Sequence, residues 1–446
     1  MRRRRLGPQL ALALLGIAAA TTTPSAPAAC DPASPSGLTR EISPRDAAEL
    51  LLEAGRLDDA RTVLLSLERV QPRDNQTEFM LGLIDVSQAH YAAAISRFRQ
   101  ILVREPSAVR VRLELARAFY LRRDYDNAER QFRFARAGDL PAAALTNIDR
   151  FLYAIRQLRR WSYDVAVGLA PNTNENAGSA ATTVDLYGLP FQLSPDARKQ
   201  SGVGFSAHAD FDWSQPLRDH LKLRIGGQVD TTDYSRGDFD DTSIAAYIGP
   251  RIVTQRWDFS PLVTGFRRWY GGRLYNQGVG GSLEATYYPA PRVSLSAVIG
   301  GQAVKYGAPL GQSGPAASAA LGFLYTASAL SVLSGSFSAT HQNASLAAYA
   351  FTSSRWQLTY SRDLPHGFSL SIQPSYARID YDAPLAAFGL ARDDRQWTAQ
   401  ATLLNRRIDL GGFTPSLLYA YTRNDSNIPL YTYDRHQFEV GLTRTF

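Results

Sequence analysis

The sequence predicts an α+β multidomain chain: N-terminal α-helical tetratricopeptide repeats followed by a C-terminal antiparallel transmembrane β-barrel of about 14 strands. Three observations predict it. A pattern of small and large apolar residues returns every 34 residues between positions 42 and 140. Composition changes at Trp161, from Ala, Leu, Arg and Glu to Tyr, Phe, Ser, Thr and Gly. Beyond that point apolar and polar residues alternate with the period of a strand.

Residues 1–29 read as a secretory signal peptide, with Arg2, Arg3, Arg4 and Arg5 as its basic start and residues 10–20 as an apolar core too short to span a bilayer. Cleavage after Ala20 or after Ala28 fits the small-residue rule equally well. The arginine run is also compatible with a twin-arginine signal, but the apolar stretch favours ordinary secretion. Cys30 is the only cysteine, so no intrachain disulfide forms. Pro27 stands where a lipobox usually has Leu, which makes Cys30 part of a flexible linker over 30–41.

A tetratricopeptide-repeat domain follows, over 42–158. Ala60, Ala94 and Ala128 share one register, as do Leu64, Phe98 and Phe132, and Pro72 and Pro106; Pro141 comes one residue late. Ala lets the second helix of each pair approach the first, the large residue four places on fills the gap, and Pro ends the pair. Leu81-Gly82 and Leu115-Ala116 supply the matching contact on the first helices. The register directs Gln76, Phe79, Arg110, Leu113, Arg117 and Tyr120 to the concave surface, where an extended peptide is the usual guest. Arg110 and Arg117 serve equally well as a solvated helix face.

The barrel is expected over 159–446. Leu221, Leu223, Ile225 and Val229 alternate with Lys222, Arg224, Gln228 and Asp230, giving one apolar and one charged face. Comparable strands centre near Trp161, Gly202, Ile244, Phe259, Leu283, Leu295, Leu321, Leu333, Leu358, Leu370, Thr398, Leu417 and Val440. Their spacing, roughly twenty residues per strand and turn, exceeds that of a soluble sandwich. Compact connections such as 289–291 and 362–367 alternate with longer ones such as 380–394. Residues 306–354 lack Asp, Glu, Lys and Arg, and 316–335 is apolar enough to score as a spanning helix. Interspersed Gly and Ser, and the strand period of Leu321, Phe323 and Tyr325, favour two strands with a turn near Ala329. The last strand carries Phe438, Val440, Leu442 and Phe446 on one face, the assembly signal of an outer-membrane barrel, with Arg444 breaking the face.

Charge leaves several functions open. The 446 residues carry a formal net charge of +7, but the basic residues are spread through helices and strands instead of forming a nucleic-acid patch. No Cys/His cluster points to a metal or other cofactor, and the acidic groups 238–241 and 393–394 read as outer-loop charge, with a weak Ca²⁺ site as the alternative. Of six histidines, His208 and His341, each with nearby Ser, are the candidates worth testing. Neither lies in a hydrolase motif, so no catalytic residue is assigned and the chain is expected not to be an enzyme.

The order of leader, short helical-repeat domain and fourteen-stranded barrel resembles the Slam family, the surface lipoprotein assembly modulators. The segment Gly168-Leu169-Ala170-Pro171-Asn172-Thr173-Asn174-Glu175-Asn176, directly after the first strand, is similar to that family's signature. The resemblance implies an outer-membrane translocon of a Gram-negative bacterium that takes a periplasmic lipoprotein or secreted protein to the cell surface. It also implies a periplasmic helical domain that recruits the client, contact with the barrel-assembly machinery and outer-membrane lipid, and no nucleic-acid partner. Pro171, Asn172, Thr173, Asn174 and Asn176 suit an inward-folded loop or, equally, a tight surface turn. The rival readings are a polysaccharide-export or general porin and, from another class, an outer-membrane lipid-modifying enzyme.

Overall fold

The computed structural model describes residues 42–445. The expected signal peptide at 1–29, the linker up to residue 41 and Phe446 lie outside the described residues. Seven helices come first: α1 (Pro44–Glu53), α2 (Leu57–Val70), α3 (Asn75–Ser87), α4 (Tyr91–Arg104), α5 (Val109–Arg122), α6 (Tyr125–Arg136) and α7 (Ala142–Leu158). The first six pair as three tetratricopeptide-like hairpins. Ala60, Ala94 and Ala128 are fully buried, and so are Leu64, Phe98 and Phe132 beside them. Gly82 is required by this packing. A Cβ there would lie 2.5 Å from the ring of Phe98, so α3 and α4 approach more closely than any side chain at 82 permits.

Capping fixes where these helices begin. The Asp74 carboxylate accepts from the Thr77 backbone N–H at the start of α3, and Asp124 accepts from the Asn127 N–H at the start of α6. Pro141 is the N-cap of α7, its lack of an N–H costing nothing there. The repeat register does not announce α7, which closes the array by burying Ile148, Leu152 and Ile155 in the core shared with Phe98, Phe119 and Phe132.

The rest of the chain is β1 (Trp161–Asn172), a small hairpin of β2 (Thr183–Leu186) and β3 (Leu189–Gln192), then β4 (Gly202–Arg218), β5 (Leu221–Tyr234), β6 (Asp241–Val253), β7 (Trp257–Tyr270) and β8 (Arg273–Ala290). It continues through β9 (Val293–Tyr306), β10 (Gly314–Ser328), β11 (Ser331–Gln342), β12 (Phe351–Asp363), β13 (Phe368–Leu385), β14 (Leu390–Asn405), β15 (Thr414–Ser426) and β16 (Tyr433–Thr445). Apart from β2 and β3 these strands form one closed antiparallel barrel of fourteen, sealed where β1 pairs with β16. All fourteen strand positions expected from the alternation are strands. Residues 316–335 form β10, a turn and the start of β11; among the described residues no helix is long and apolar enough to cross a membrane.

The outer wall is apolar and exposed. Leu321, Val440, Val263 and Ile299 are 57–62 % exposed, which is tolerable only where lipid replaces water. Strands of 12 to 18 residues outrun the roughly ten that a bilayer requires. The 380–394 stretch, expected as a long loop, therefore belongs mostly to β13 and β14, joined by residues 386–389. Asp393 and Asp394 accordingly sit in a strand, and Asp394 is buried against Arg392.

The helices sit across one mouth of this barrel. On one side α7 reaches the turns before β5 and β7: Arg156 donates to the Gln255 carbonyl (2.8 Å), Gln157 to the Val253 carbonyl (3.0 Å), and Tyr153 Oη meets His220 Nδ1 (3.1 Å). Lys222, 1 % exposed on β5, donates to the Arg156 and Arg159 carbonyls and so ties down the end of α7. On the opposite side Arg112 and Arg130 meet Asp363 at the end of β12, and Arg99 meets Asp409 in the turn after β14. These two sets of turns lie across the ring from each other in the strand order.

Candidate functional site

The candidate site is a path with three parts: the helical array, the barrel lumen, and the loop at the far mouth. In the array, Gln76 and Phe79 lie on α3, and Arg110, Leu113, Arg117 and Tyr120 on α5. Arg110 stacks on the Phe79 ring at 5.3 Å, joining the two first helices across a repeat boundary. Tyr120 packs edge-on against Phe151 of α7, at 5.0 Å, and against Tyr125. Gln76 is exposed and donates to Glu49 on α1. These six residues therefore follow one another along the first-helix face. Sequence reasoning missed Glu114, which sits among them 3.6 Å from Arg117. Burial raises its pKa against the pull of Arg117 and Arg110. Its i+4 and i−3 spacing to those arginines was the available signal.

Inside the barrel, strand alternation turns one residue in two to the lumen, and the two halves of the lumen differ. Across β4 to β8 the wall is charged and cross-linked. Asp212 accepts from Arg224 (2.5 Å) and Tyr247 (2.8 Å), Arg224 also donates to Glu284 (2.6 Å), and Arg251 pairs with Asp258 (2.5 Å). Across β10 to β13 many inward positions are small and neutral, including Ser318, Ser334, Ser336, Ser361 and Ser371, although Arg355 and Asp363 on β12 share the inward face. Ser361 and Ser371 bond to each other at 2.8 Å. His208 bonds Asp230 at 2.6 Å, and His341 bonds Thr352 and Asn343. Among the described residues neither ring has a serine hydroxyl partner, the pairing that nucleophilic catalysis requires. Among the described residues there is also no group of three His, Cys, Asp or Glu able to hold a metal.

At the far mouth the chain leaves β1 through the asparagine-rich segment. Pro171 is still in β1, opposite Val203, and faces outward. Asn172 donates to Tyr234 Oη and accepts from the Asn174 N–H. Asn174, fully buried, donates to the Gly178 and Asp434 carbonyls while its Oδ1 accepts from the Gly178 N–H. Thr173 exchanges two bonds with the backbone of His436, one through its N–H and one through its hydroxyl. Asn176 donates to the Asp196 and Arg198 carbonyls. Each short amide thus replaces a missing secondary-structure partner, and the loop turns back over the barrel. It is then fastened around the rim: Ser179 to the Pro429 carbonyl, the Tyr187 N–H to the Ala387 carbonyl, Lys199 to Asp434 and Gln200 to Arg236.

In the last strand Phe438, Val440 and Leu442 face outward opposite Tyr419, Leu417 and Pro415. Arg444 continues that face. Its guanidinium folds under the barrel onto the Gly411 carbonyl and the Phe413 ring.

Comparison with known proteins gives one family and several relatives. The family model of the surface lipoprotein assembly modifier matches residues 161–446. The surface lipoprotein assembly modifier of Pasteurella multocida is 24 % identical over 89 % of this chain and 82 % of its own length. Surface lipoprotein assembly modifier 1 of Haemophilus influenzae is 23 % identical over 89 % and 84 %. Surface lipoprotein assembly modifier 2 of Neisseria meningitidis is 26 % identical over 76 % and 73 %.

Proposed function

This chain belongs to the surface lipoprotein assembly modifier family, and from that membership we propose that it is an outer-membrane translocon delivering a lipoprotein or other secreted protein to the cell surface. The observation that carries the reading is the arrangement of parts. A closed barrel with a polar lumen has a peptide-binding type of array fixed across one mouth and a folded loop fastened across the other. The helices, residues 42–158, then occupy the periplasm and the barrel, 159–446, the membrane.

The concave residues Gln76, Phe79, Arg110, Leu113, Arg117 and Tyr120 recruit the client and raise its local concentration beside the pore. The loop that leaves β1 after Pro171 and Asn172, held at its start by Thr173, Asn174 and Asn176, closes the far mouth at rest. Phe438, Val440, Leu442 and Phe446 present the chain to the barrel-assembly machinery and to outer-membrane lipid. The chain works without catalysis and without a cofactor.

The test is co-expression with candidate lipoproteins followed by protease shaving of intact cells. Deleting this chain is expected to remove the client from the surface. Unchanged exposure of every client would overturn the export reading and leave the barrel in place.

A second reading, passage of polysaccharide, has one observation in its favour. Arg392 stacks on Tyr431 at 3.5 Å and on Tyr381, and Arg268 on Tyr275, an aromatic-cationic lining suited to sugars. Both arginines are already held by carboxylates, Asp394 and Asp241, which favours a structural role for them.

A further inference from the structure

A sizeable cavity lies where α4, α5 and α6 meet the barrel turns. Its volume is about 780 Å³, within the range of ligand sites. Seven arginines and five carboxylates line it, and the pairing among them is uneven. Asp363 is the shared acceptor of Arg112 (3.5 Å) and Arg130 (3.6 Å), and Asp409 lies 3.7 Å from Arg99. Asp126 and Glu129 are committed to Arg159 and Arg133. Arg406, in the turn after β14, lines the same space; its backbone N–H donates to the Gly367 carbonyl, while its guanidinium makes no ion pair or hydrogen bond among the described residues. Arg112 is 3 % exposed, and its Nε is buried without an acceptor.

We propose that this cavity binds an acidic, extended stretch of polypeptide, with Arg406, Arg112 and Arg130 donating to its carboxylates. This deepens the export reading and rests on it, because the stretch belongs to the client. Three features select the occupant. The unmatched positive charge calls for carboxylates, and the guanidinium fork fits them two-toothed. The apolar part of the lining, Phe119, Phe134, Leu324 and Phe368, suits side chains between the acids. The lumen-facing Thr326, Ser361 and Thr443 also line the cavity, so it opens toward the pore and away from lipid, and a chain leaving the array reaches the barrel through it. Burial, and then Arg130, push the Arg406 guanidinium down to about 9. It stays protonated at neutral pH, and an arriving carboxylate relieves that repulsion.

The experiment uses the purified full-length protein in detergent and a short fluorescein-labelled peptide of alternating Glu and Ser, followed by anisotropy. Arg406→Glu is expected to weaken binding by about tenfold or more, and Arg406→Lys to keep it within about threefold. Arg69→Glu, on the exposed end of α2 and outside the cavity, is expected to leave it unchanged. The proposal is overturned if Arg406→Glu binds as the unaltered chain does, or if a Gln-Ser peptide binds as well as the Glu-Ser one. It is also overturned if Arg406→Glu loses binding to phosphatidylglycerol vesicles and not to the peptide, which would make the site a lipid site. The two readings separate in cells. Normal delivery by Arg406→Glu sinks this inference alone, whereas no delivery by the unaltered chain sinks the export reading and leaves the peptide result standing.

Discussion

Asp363 carries the contact between the helical array and one side of the barrel mouth, so Asp363→Asn tests whether that contact is electrostatic. The substitution keeps the shape and the bond from Ser369 (2.8 Å) and removes only the charge. At separations of 3.5 and 3.6 Å, each arginine gains roughly 4–5 kcal/mol of Coulomb energy at an effective dielectric constant near 20. Most of that offsets the desolvation of Arg112 and Arg130, and the ion pairs are long, so the net loss is expected at about 2–4 kcal/mol. At 1.4 kcal/mol per decade, the docked state loses roughly thirtyfold or more in population. Hydrogen exchange on the full-length protein in detergent reads this directly. Amides of α5, α6 and the turn after β12 are expected to exchange at least about tenfold faster, while those of β4 to β8 stay protected. Unchanged exchange in α5 and α6, with the barrel intact by heat-modifiable migration, would refute an electrostatic clamp.

Four further outcomes are expected. Gly82→Ala puts a Cβ against Phe98 and should cost about 1–3 kcal/mol by overpacking, seen as a lower helical unfolding temperature in circular dichroism; an unchanged temperature would mean that α3 and α4 separate freely. Burial alone would raise Glu129, but Arg133 and Arg159 hold it at about 2 against an ordinary 4.5. A depressed folded pKa gives stability that is present above pH 4.5 and lost as pH falls toward 2, so Glu129→Gln should abolish an acid transition of α6 and α7 in that window. Asn174→Ala leaves the Gly178 N–H with only Asn176 as acceptor and takes the amide donor from the Gly178 and Asp434 carbonyls, and faster protease cleavage between residues 175 and 200 should follow; equal resistance would argue against the amide as its organiser. Phe446→Ser should lower the yield of heat-modifiable barrel, with an unchanged yield counting against an assembly signal.

Much of the path was legible because each part obeys a short period. Ala94 and Phe98 lie in a repeat whose residue sizes are dictated by helix approach, so their burial follows from register. Leu221 and Lys222 face opposite ways because a strand alternates, which foretold a lumen without saying what it contains. Asn172, Asn174 and Asn176 announced a loop, but nothing local chose between folding inward and turning outward. Its start is held by bonds to Asp434 and His436 of β16, some 260 residues on, partners that no local pattern names. The 380–394 stretch was misjudged as a loop because its charges neutralise one another across β13 and β14, a pairing invisible along the chain.

The sequence by itself determined the two periodicities, the place where one gives way to the other, and the count of strands, because helix pairs and membrane strands are built from contacts a few residues to a few tens of residues apart. Only the tertiary structure decided that α7 and Lys222 lock the array across the barrel mouth, that one lumen wall is cross-linked by ion pairs and the other richer in serine, and that an arginine-rich cavity lies at the junction. The physical reason is distance along the chain. Arg112 and Asp363 are 251 residues apart, and no local pattern selects a partner at that range until the barrel closes and brings the turns under the helices.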